Sequence, residues 1–169
     1  WIGDGDGVSE RHSTQVPLRA SQWYFVAGVY DAEAGKVSLY QEPAGIWPDA
    51  ESRAFVETDS QVVALGESDA PFLMAGYWDQ TDARASGHYN GKIDGPRLYG
   101  RALTRDEIAS LRGEKGTTVS GEVVGQWDLG RDFSSSIVTD ASPNGLHGTA
   151  INMPARAVTG HNFTGDEIN

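Results

Sequence analysis

The sequence of 169 residues contains no cysteine. Disulfide bonds therefore play no part in its stability, and a cysteine nucleophile is excluded. Thiol content also gives no indication of the redox compartment. The chain opens on Trp1 and Ile2 without an initiator methionine. Because these residues resemble the end of a strand, we expect the sequence to be a fragment or a processed product.

Long apolar runs and basic residues are scarce as well. No run of roughly 18 apolar residues is present, so we expect no membrane span, and the start lacks a signal-peptide pattern. The 13 Lys and Arg against 24 Asp and Glu give a formal net charge of −11. Nucleic acids and anionic membranes attract basic surfaces, so we expect neither as a partner. The charge is typical of a solubilising acidic surface.

Glycine and proline, by contrast, are plentiful, at 21 and 7 residues, and short apolar segments lie between them. This pattern predicts a single all-β domain rich in turns. Residues 22–30 form the strongest strand pattern, with apolar side chains on both faces, and we expect this strand to lie centrally in a sheet. Residues 36–41 are predicted to return antiparallel after a turn at residues 31–35.

A single short helix is predicted after Leu103. Thr104 is an N-cap candidate, and Glu107 three residues later completes a capping box. Leu103 and Ile108 are spaced as a hydrophobic staple, and Gly113 is a stop. The helix therefore follows two expected short strands at residues 92–94 and 96–99.

The segment IDGPRLYGRALTRDEIASL resembles the end of laminin-G-like, concanavalin-A-like domains. The resemblance implies an antiparallel β-sandwich, or jelly roll, with one short helix. The later segment DASPNGLHGT resembles the part that normally opens such a domain. We therefore expect a sandwich over residues 1–160 that lacks its first strands and is closed by residues 122–152. Residues 161–169 are expected to be a polar tail leading to a downstream region.

A narrower resemblance rests on three segments in this order: WYFVAGVYDAEAGKVSLYQEP, the IDGPRLYG segment and DASPNGLHGTAINMPARAVTGHNF. Together they resemble the large-subunit family of N,N-dimethylformamidase, a formamide-hydrolysing enzyme that uses iron. The resemblance implies a non-catalytic assembly module whose partners are other domains or subunits, and it favours a cytoplasmic location. The iron ligands are expected outside this piece, so no catalytic residue is carried over.

The residues themselves suggest no catalytic centre. The four histidines show no metal-binding spacing. Glu57 and Asp59 begin the E-x-D-x-x-E pattern of glucanases with a concanavalin-like fold, but position 62 is valine. A glycosidase needs two carboxylates flanking the scissile bond, so this pattern is incomplete.

Two weaker binding sites are predicted. Tyr77 and Trp78 lie in a predicted loop, residues 77–87, where a sugar ring could stack, which makes a carbohydrate-binding module the alternative function. The favoured interpretation is that both rings pack onto the edge of the sheet. The laminin-G resemblance implies a calcium site, with Asp94 and Asp140 as candidate ligands. The alternative for Asp140 is a turn former that bonds its own backbone.

Overall fold

The computed structural model describes residues 2–45, 52–67, 69–112, 119, 122–152 and 154–156. The strands of this part of the chain pair antiparallel throughout. The elements in chain order are β1 (Ile2–Gly3), β2 (Ser9–Glu10), β3 (Tyr24–Asp31), β4 (Lys36–Pro43), β5 (Ala54–Asp59), β6 (Tyr77–Asp79), β7 (Arg84–Ser86), β8 (Arg97–Tyr99), α1 (Arg105–Ser110), β9 (Val123–Asp128), β10 (Ile137–Asp140) and β11 (Gly148–Thr149). The predicted all-β class with one short helix is confirmed.

The first large sheet has the strand order β3-β4-β5. The predicted hairpin of β3 and β4 is confirmed, with an unbroken register from the Tyr24–Pro43 pair to the Asp31–Lys36 pair. The predicted central position of β3 is wrong for the described residues, because β4 is central and β3 lies at an edge. Apolar side chains on both faces of a strand indicate that both faces are covered, not that both edges are paired.

The two faces of this sheet are covered by different parts of the chain. On one face Phe25, Tyr40 and Phe55 form a row of edge-on ring contacts, with centroids 5.7 and 6.5 Å apart. Arg105 of α1 lies 4.5 Å above the Phe55 ring, so the helix packs on this side. On the other face Tyr30 donates a hydrogen bond of 2.7 Å to the carbonyl of Val62, which is 1% exposed.

The second large sheet has the order β11-β10-β9-β8. β8 precedes the helix and β9 follows it, and Leu98 pairs with Gly125. The strands after the helix therefore join the strand before it in one sheet. The boundaries of 1–160 and 161–169 stay predictions, and the tail lies outside the described residues.

The helix begins as its sequence predicts. The Thr104 hydroxyl accepts a hydrogen bond from the Glu107 N–H, and the Glu107 carboxylate accepts one from the Thr104 N–H, so the capping box is confirmed. Ile108 is 2% exposed and anchors the helix, which ends at Leu111 as C-cap. Gly113 lies outside the described residues. No helix in the described ranges has the length and apolar character needed to cross a bilayer.

Two local predictions are wrong. Residues 92–94 are not a strand. Residues 77–87 are a hairpin of β6 and β7 and not a loop. The Asp79 carboxylate closes its turn by accepting hydrogen bonds from the N–H groups of Thr81 and Asp82, at 2.9 and 3.3 Å.

Candidate functional site

Tyr77 and Trp78, the two predicted sugar-stacking residues, are neighbours on β6. Successive side chains of a strand point to opposite faces, so the two rings do not form one platform. Tyr77 is 58% exposed, and its ring lies directly over Gly87 of the same hairpin, where any Cβ would collide with it. Tyr77 therefore shields the backbone of its own hairpin on one face.

Trp78 is half-buried on the other face and lines a shallow hollow of about 250 Å³. The other lining residues are Asp69, Ala70 and Gln80. An aromatic ring beside a carboxylate and an amide is a combination that suits a sugar hydroxyl face. The hollow is smaller than a typical ligand pocket, so it would accept no more than part of a ligand.

Asp140 lies at the end of β10 and is only 4% exposed. Its Oδ1 accepts hydrogen bonds of 2.8 Å from the N–H groups of Gln126 and Ser142. Its Oδ2 accepts hydrogen bonds of 2.7 Å from the Ser142 hydroxyl and the Leu146 N–H. Burial raises the pKa of the Asp140 carboxyl, but these hydrogen bonds outweigh it and lower the pKa to about 2. The carboxylate is therefore ionised and held by four donors.

These contacts bear on the calcium site predicted at Asp94 and Asp140. A cation at Asp140 would have to compete with four hydrogen-bond donors for the same two oxygens. Asp94 lies in the exposed turn before β8, next to Gly95, which has a φ of 53°. Within the described ranges, no three His, Asp or Glu side chains are grouped as a metal site would require. The calcium site stays a prediction.

The loop after Asp140 also holds the buried tryptophan of the second sheet. The Trp127 indole N–H donates a hydrogen bond of 2.8 Å to the carbonyl of Leu146. Phe72 stacks on the indole, with centroids 5.4 Å apart and an angle of 21° between the planes. Phe72 itself remains 63% exposed. The DASPNGLHG segment is thus a structural loop that positions Trp127 as well as Asp140.

A second buried carboxylate, for which sequence patterns offer no signal, is Glu42, which is 5% exposed at the end of β4. Its Oε1 pairs with Arg53 at 2.5 Å and with Arg112 at 2.7 Å. The Tyr40 hydroxyl donates to its Oε2. Strand alternation places Tyr40 beside Glu42, but Arg53 lies just before β5 and Arg112 just after the C-cap of α1. Only the fold could reveal this cluster.

A third polar cluster joins the β1–β2 hairpin to the end of β5. The Glu10 carboxylate accepts hydrogen bonds from the Gln61 N–H at 2.7 Å and the Ser60 hydroxyl at 2.8 Å, and these contacts lower its pKa. His12 lies 3.0 Å from Glu10 and 2.8 Å from the Thr58 hydroxyl. A carboxylate, an imidazole and a hydroxyl occur in this order in hydrolase triads. Here these side chains tie β2 and the segment after it to the end of β5, and the hollow beside Trp78 is lined by other residues.

The incomplete glucanase pattern has a structural explanation. Glu57 lies on β5, where it forms an exposed ion pair of 2.8 Å with Lys36. Position 62, where the pattern requires an acid, is occupied by Val62, the most completely buried large side chain described. An acid at this position would lie in the core.

Comparison with known proteins decides the family. Residues 1–109 match the family model described as the Concanavalin A-like lectin/glucanases superfamily. The chain belongs to this superfamily. The concanavalin-like fold predicted from the IDGPRLYG segment is therefore confirmed.

Two curated relatives are similar to this chain along nearly its whole length. The N,N-dimethylformamidase beta subunit of Alcaligenes sp is 36% identical over an alignment of 190 positions, which covers 99% of this chain and 24% of that protein. The N,N-dimethylformamidase beta subunit of Paracoccus aminophilus is 34% identical over an alignment of 191 positions, which again covers 99% of this chain and 24% of that protein. The narrower resemblance is confirmed, and the chain spans about a quarter of the length of these curated relatives.

Proposed function

We propose that this chain is a non-catalytic interaction and assembly module of the large subunit of a dimethylformamidase-type amidohydrolase. The observation that carries the proposal is the alignment with two dimethylformamidase beta subunits, which includes 99% of this chain but only 24% of each relative. A segment of this size is a domain within a longer subunit. The chemistry, including any iron, would then belong to other parts of that subunit.

The surroundings of the acidic side chains support a structural role for this segment. Glu42 is neutralised by two arginines, and Asp140 is held by four hydrogen-bond donors. Glu107 is engaged by Arg101 and by the helix cap, and these contacts lower its pKa to about 2. A general acid needs a pKa near the working pH, and neither Asp140 nor Glu107 meets this condition.

The exposed apolar side chains support an assembly role. Val63 is 82% exposed, Ile151 69%, Phe72 63% and Phe133 60%. Exposed apolar side chains mark contacts with another domain or subunit where they form one contiguous patch. Such contacts would join this module to the remainder of the enzyme.

The proposal is tested on the natural full-length polypeptide that contains this segment. We expect it to release formate and dimethylamine from N,N-dimethylformamide and to contain iron by elemental analysis. A variant lacking residues 1–169 is expected to lose its native oligomeric mass in sedimentation. A full-length protein that contains no iron and releases no formate would refute the proposal that this segment belongs to a dimethylformamidase-type enzyme. An unchanged mass and activity after the deletion would refute the assembly role.

Carbohydrate binding is the second candidate, and the observation that favours it is the hollow beside Trp78. Because Trp78 and Tyr77 lie on opposite faces of β6, the two residues provide a matched pair of variants. If a glycan binds in the hollow, Trp78→Ala abolishes binding on a glycan array and Tyr77→Ala leaves it unchanged. Arrays without binding at high protein concentration would refute this function.

A further inference from the structure

Along one edge of β3 lie backbone hydrogen-bonding groups that no strand of the described ranges uses. β3 is eight residues long, and its register with β4 is continuous over all eight pairs. On its other side, no strand in the described ranges pairs with it. An edge of this length offers a row of N–H and C=O groups to any additional strand.

The direction of these groups follows from Pro43. Proline has no N–H, so the Tyr24–Pro43 pair cannot be a hydrogen-bonded pair of the antiparallel ladder. The neighbouring Ala44 N–H donates a hydrogen bond of 2.8 Å to the Trp23 carbonyl. The hydrogen-bonded position is therefore next to the Tyr24–Pro43 pair and not at it. Hydrogen-bonded pairs alternate with non-hydrogen-bonded pairs along the ladder. Consequently one set of residues points its backbone groups away from β4, namely Tyr24, Val26, Gly28 and Tyr30.

The opposite edge of the same sheet is protected in ways that β3 is not. β5 ends in Glu57, Thr58 and Asp59, all of them exposed, and charged side chains on an edge discourage further pairing. β3 contains no proline and no bulge, and its only charged residue is Asp31 at its last position. Val26, in the middle of the strand, is 60% exposed. Of the two edges, β3 is therefore the one that is suited to receive a strand.

We propose that the edge of β3 pairs with a β-strand from the same polypeptide, from the part that lies outside residues 1–169. This inference rests on the proposed function, because the dimethylformamidase relatives contain far more chain than the 24% that aligns here. A strand from the same polypeptide is held at high effective concentration, so it needs little affinity of its own. The added strand contributes main-chain hydrogen bonds to the outward groups of Val26, Gly28 and Tyr30.

A second copy of this chain is the less suitable occupant. Each copy carries a formal net charge of −11, so two copies repel each other as they approach. Antiparallel pairing of β3 with its own copy would also bring two exposed Val26 side chains together without any opposite charges to steer the encounter.

Amide hydrogen exchange on the full-length polypeptide tests the proposal residue by residue. The inward N–H groups of Phe25, Ala27 and Val29 bond to β4 and serve as the internal standard. We expect the outward N–H groups of Val26 and Gly28 to exchange at rates within about tenfold of that standard. Outward amides that exchange like an unstructured peptide would overturn the proposal. Protection that disappears on dilution would also overturn it, because it would show pairing between copies.

A pair of proline variants provides an independent test. Val26→Pro removes a donor that β4 does not use, so the β3–β4 hairpin keeps its ladder, whereas Ala27→Pro breaks that ladder. In the full-length protein we expect Val26→Pro to remove the protection of Gly28 while Phe25 and Val29 stay protected. Val26→Thr, which retains the N–H and the β-branched shape, is expected to leave all of them protected. Unchanged protection of Gly28 in Val26→Pro would refute the inference.

The failure of this inference is distinguishable from the failure of the proposed function. Formate release with unprotected outward amides would refute the strand pairing and leave the enzyme assignment intact. Protected outward amides without formate release or iron would refute the enzyme assignment and retain the strand pairing.

Discussion

The two large sheets each contain a buried carboxylate, and they stabilise it in different ways. In the first sheet Glu42 is neutralised by Arg53, just before β5, and by Arg112, which is 70 positions away in the sequence. In the second sheet Asp140 is held by N–H and O–H groups, most of them within six residues in sequence. One site uses mobile charged side chains, and the other uses fixed backbone dipoles.

This difference determines what happens when the carboxylate is removed. The side chains of Arg53 and Arg112 are 69% and 37% exposed, so they can regain water after Glu42 is lost. The N–H groups around Asp140 belong to β9 and to the loop after β10 and cannot turn away. An orphaned buried donor carries its full desolvation cost. The backbone site should therefore be the less tolerant of the two.

Asp140→Ala is expected to have the largest effect. It leaves the N–H groups of Gln126, Ser142 and Leu146 without their acceptor, and we expect a loss of about 4 kcal/mol in the free energy of unfolding. Asp140→Asn retains one acceptor oxygen and is expected to lose clearly less. Urea denaturation measures both. Equal losses for the two variants would show that stability depends on the negative charge and not on how many N–H groups are left without an acceptor.

Acid should weaken the second sheet through the same residue. The pKa of Asp140 is lowered to about 2 in the fold from an ordinary value of 3.8, so the unfolded chain takes up the proton first as pH falls. The contribution of Asp140 to stability is complete above about pH 5 and is lost as pH falls toward 2. Unfolding free energies measured across this range should decline more steeply in the natural protein than in Asp140→Asn. If the two proteins lose stability equally as the pH falls, Asp140 is not the source of the acid sensitivity.

Glu42→Gln is expected to have an intermediate effect. Breaking a fully buried ion pair costs about 3–5 kcal/mol, but both arginines can rehydrate here, so we expect about 2 kcal/mol. Glu57→Gln, which removes the exposed partner of Lys36, is the matched control and should have a smaller effect. Urea denaturation at low and high salt checks the comparison. A loss for Glu42→Gln as large as that for Asp140→Ala would remove the distinction between the two sites.

Tyr99→Phe is expected to have the smallest effect, and in the opposite direction. The Tyr99 hydroxyl at the end of β8 is buried and has no hydrogen-bond partner among the described residues. Replacing it with hydrogen removes an unsatisfied polar group, so we expect a gain of about 1 kcal/mol. Thermal unfolding measures this gain, and a lower melting temperature would show that the hydroxyl has a partner in solution.

The sequence predicted the features that depend on short separations. The β3–β4 hairpin and the Thr104–Glu107 capping box rest on alternation, turn residues and caps, all of which act within a few residues. It also offered Asp140 as a turn former, which agrees with the hydrogen bonds from Ser142 and Leu146. Tyr77 and Trp78 lie on a strand and not in the predicted loop, because the Asp79 carboxylate closes a hairpin turn between β6 and β7.

The features that sequence reasoning missed depend on long separations. The position of β3 at an edge depends on which strands pair with each other. The alternation of side chains along one strand carries no information about its partners. The pairing of Glu42 with Arg112 joins residues 70 positions apart. Phe72 belongs to an apolar run that resembles a buried strand, but its ring stacks on Trp127 and remains largely exposed, and only the tertiary arrangement shows this.

The pairing of β8 with β9 across the helix has a consequence for the order of folding. The β3–β4 hairpin closes over a short turn, so it can form as soon as residues 24–43 leave the ribosome. β8 must wait until β9 has been synthesised, because Tyr99 pairs with Val123. During that interval β8 has no partner strand among the described residues, and the chain is only partly folded. We therefore expect the nascent protein to be most prone to aggregation before the second sheet closes.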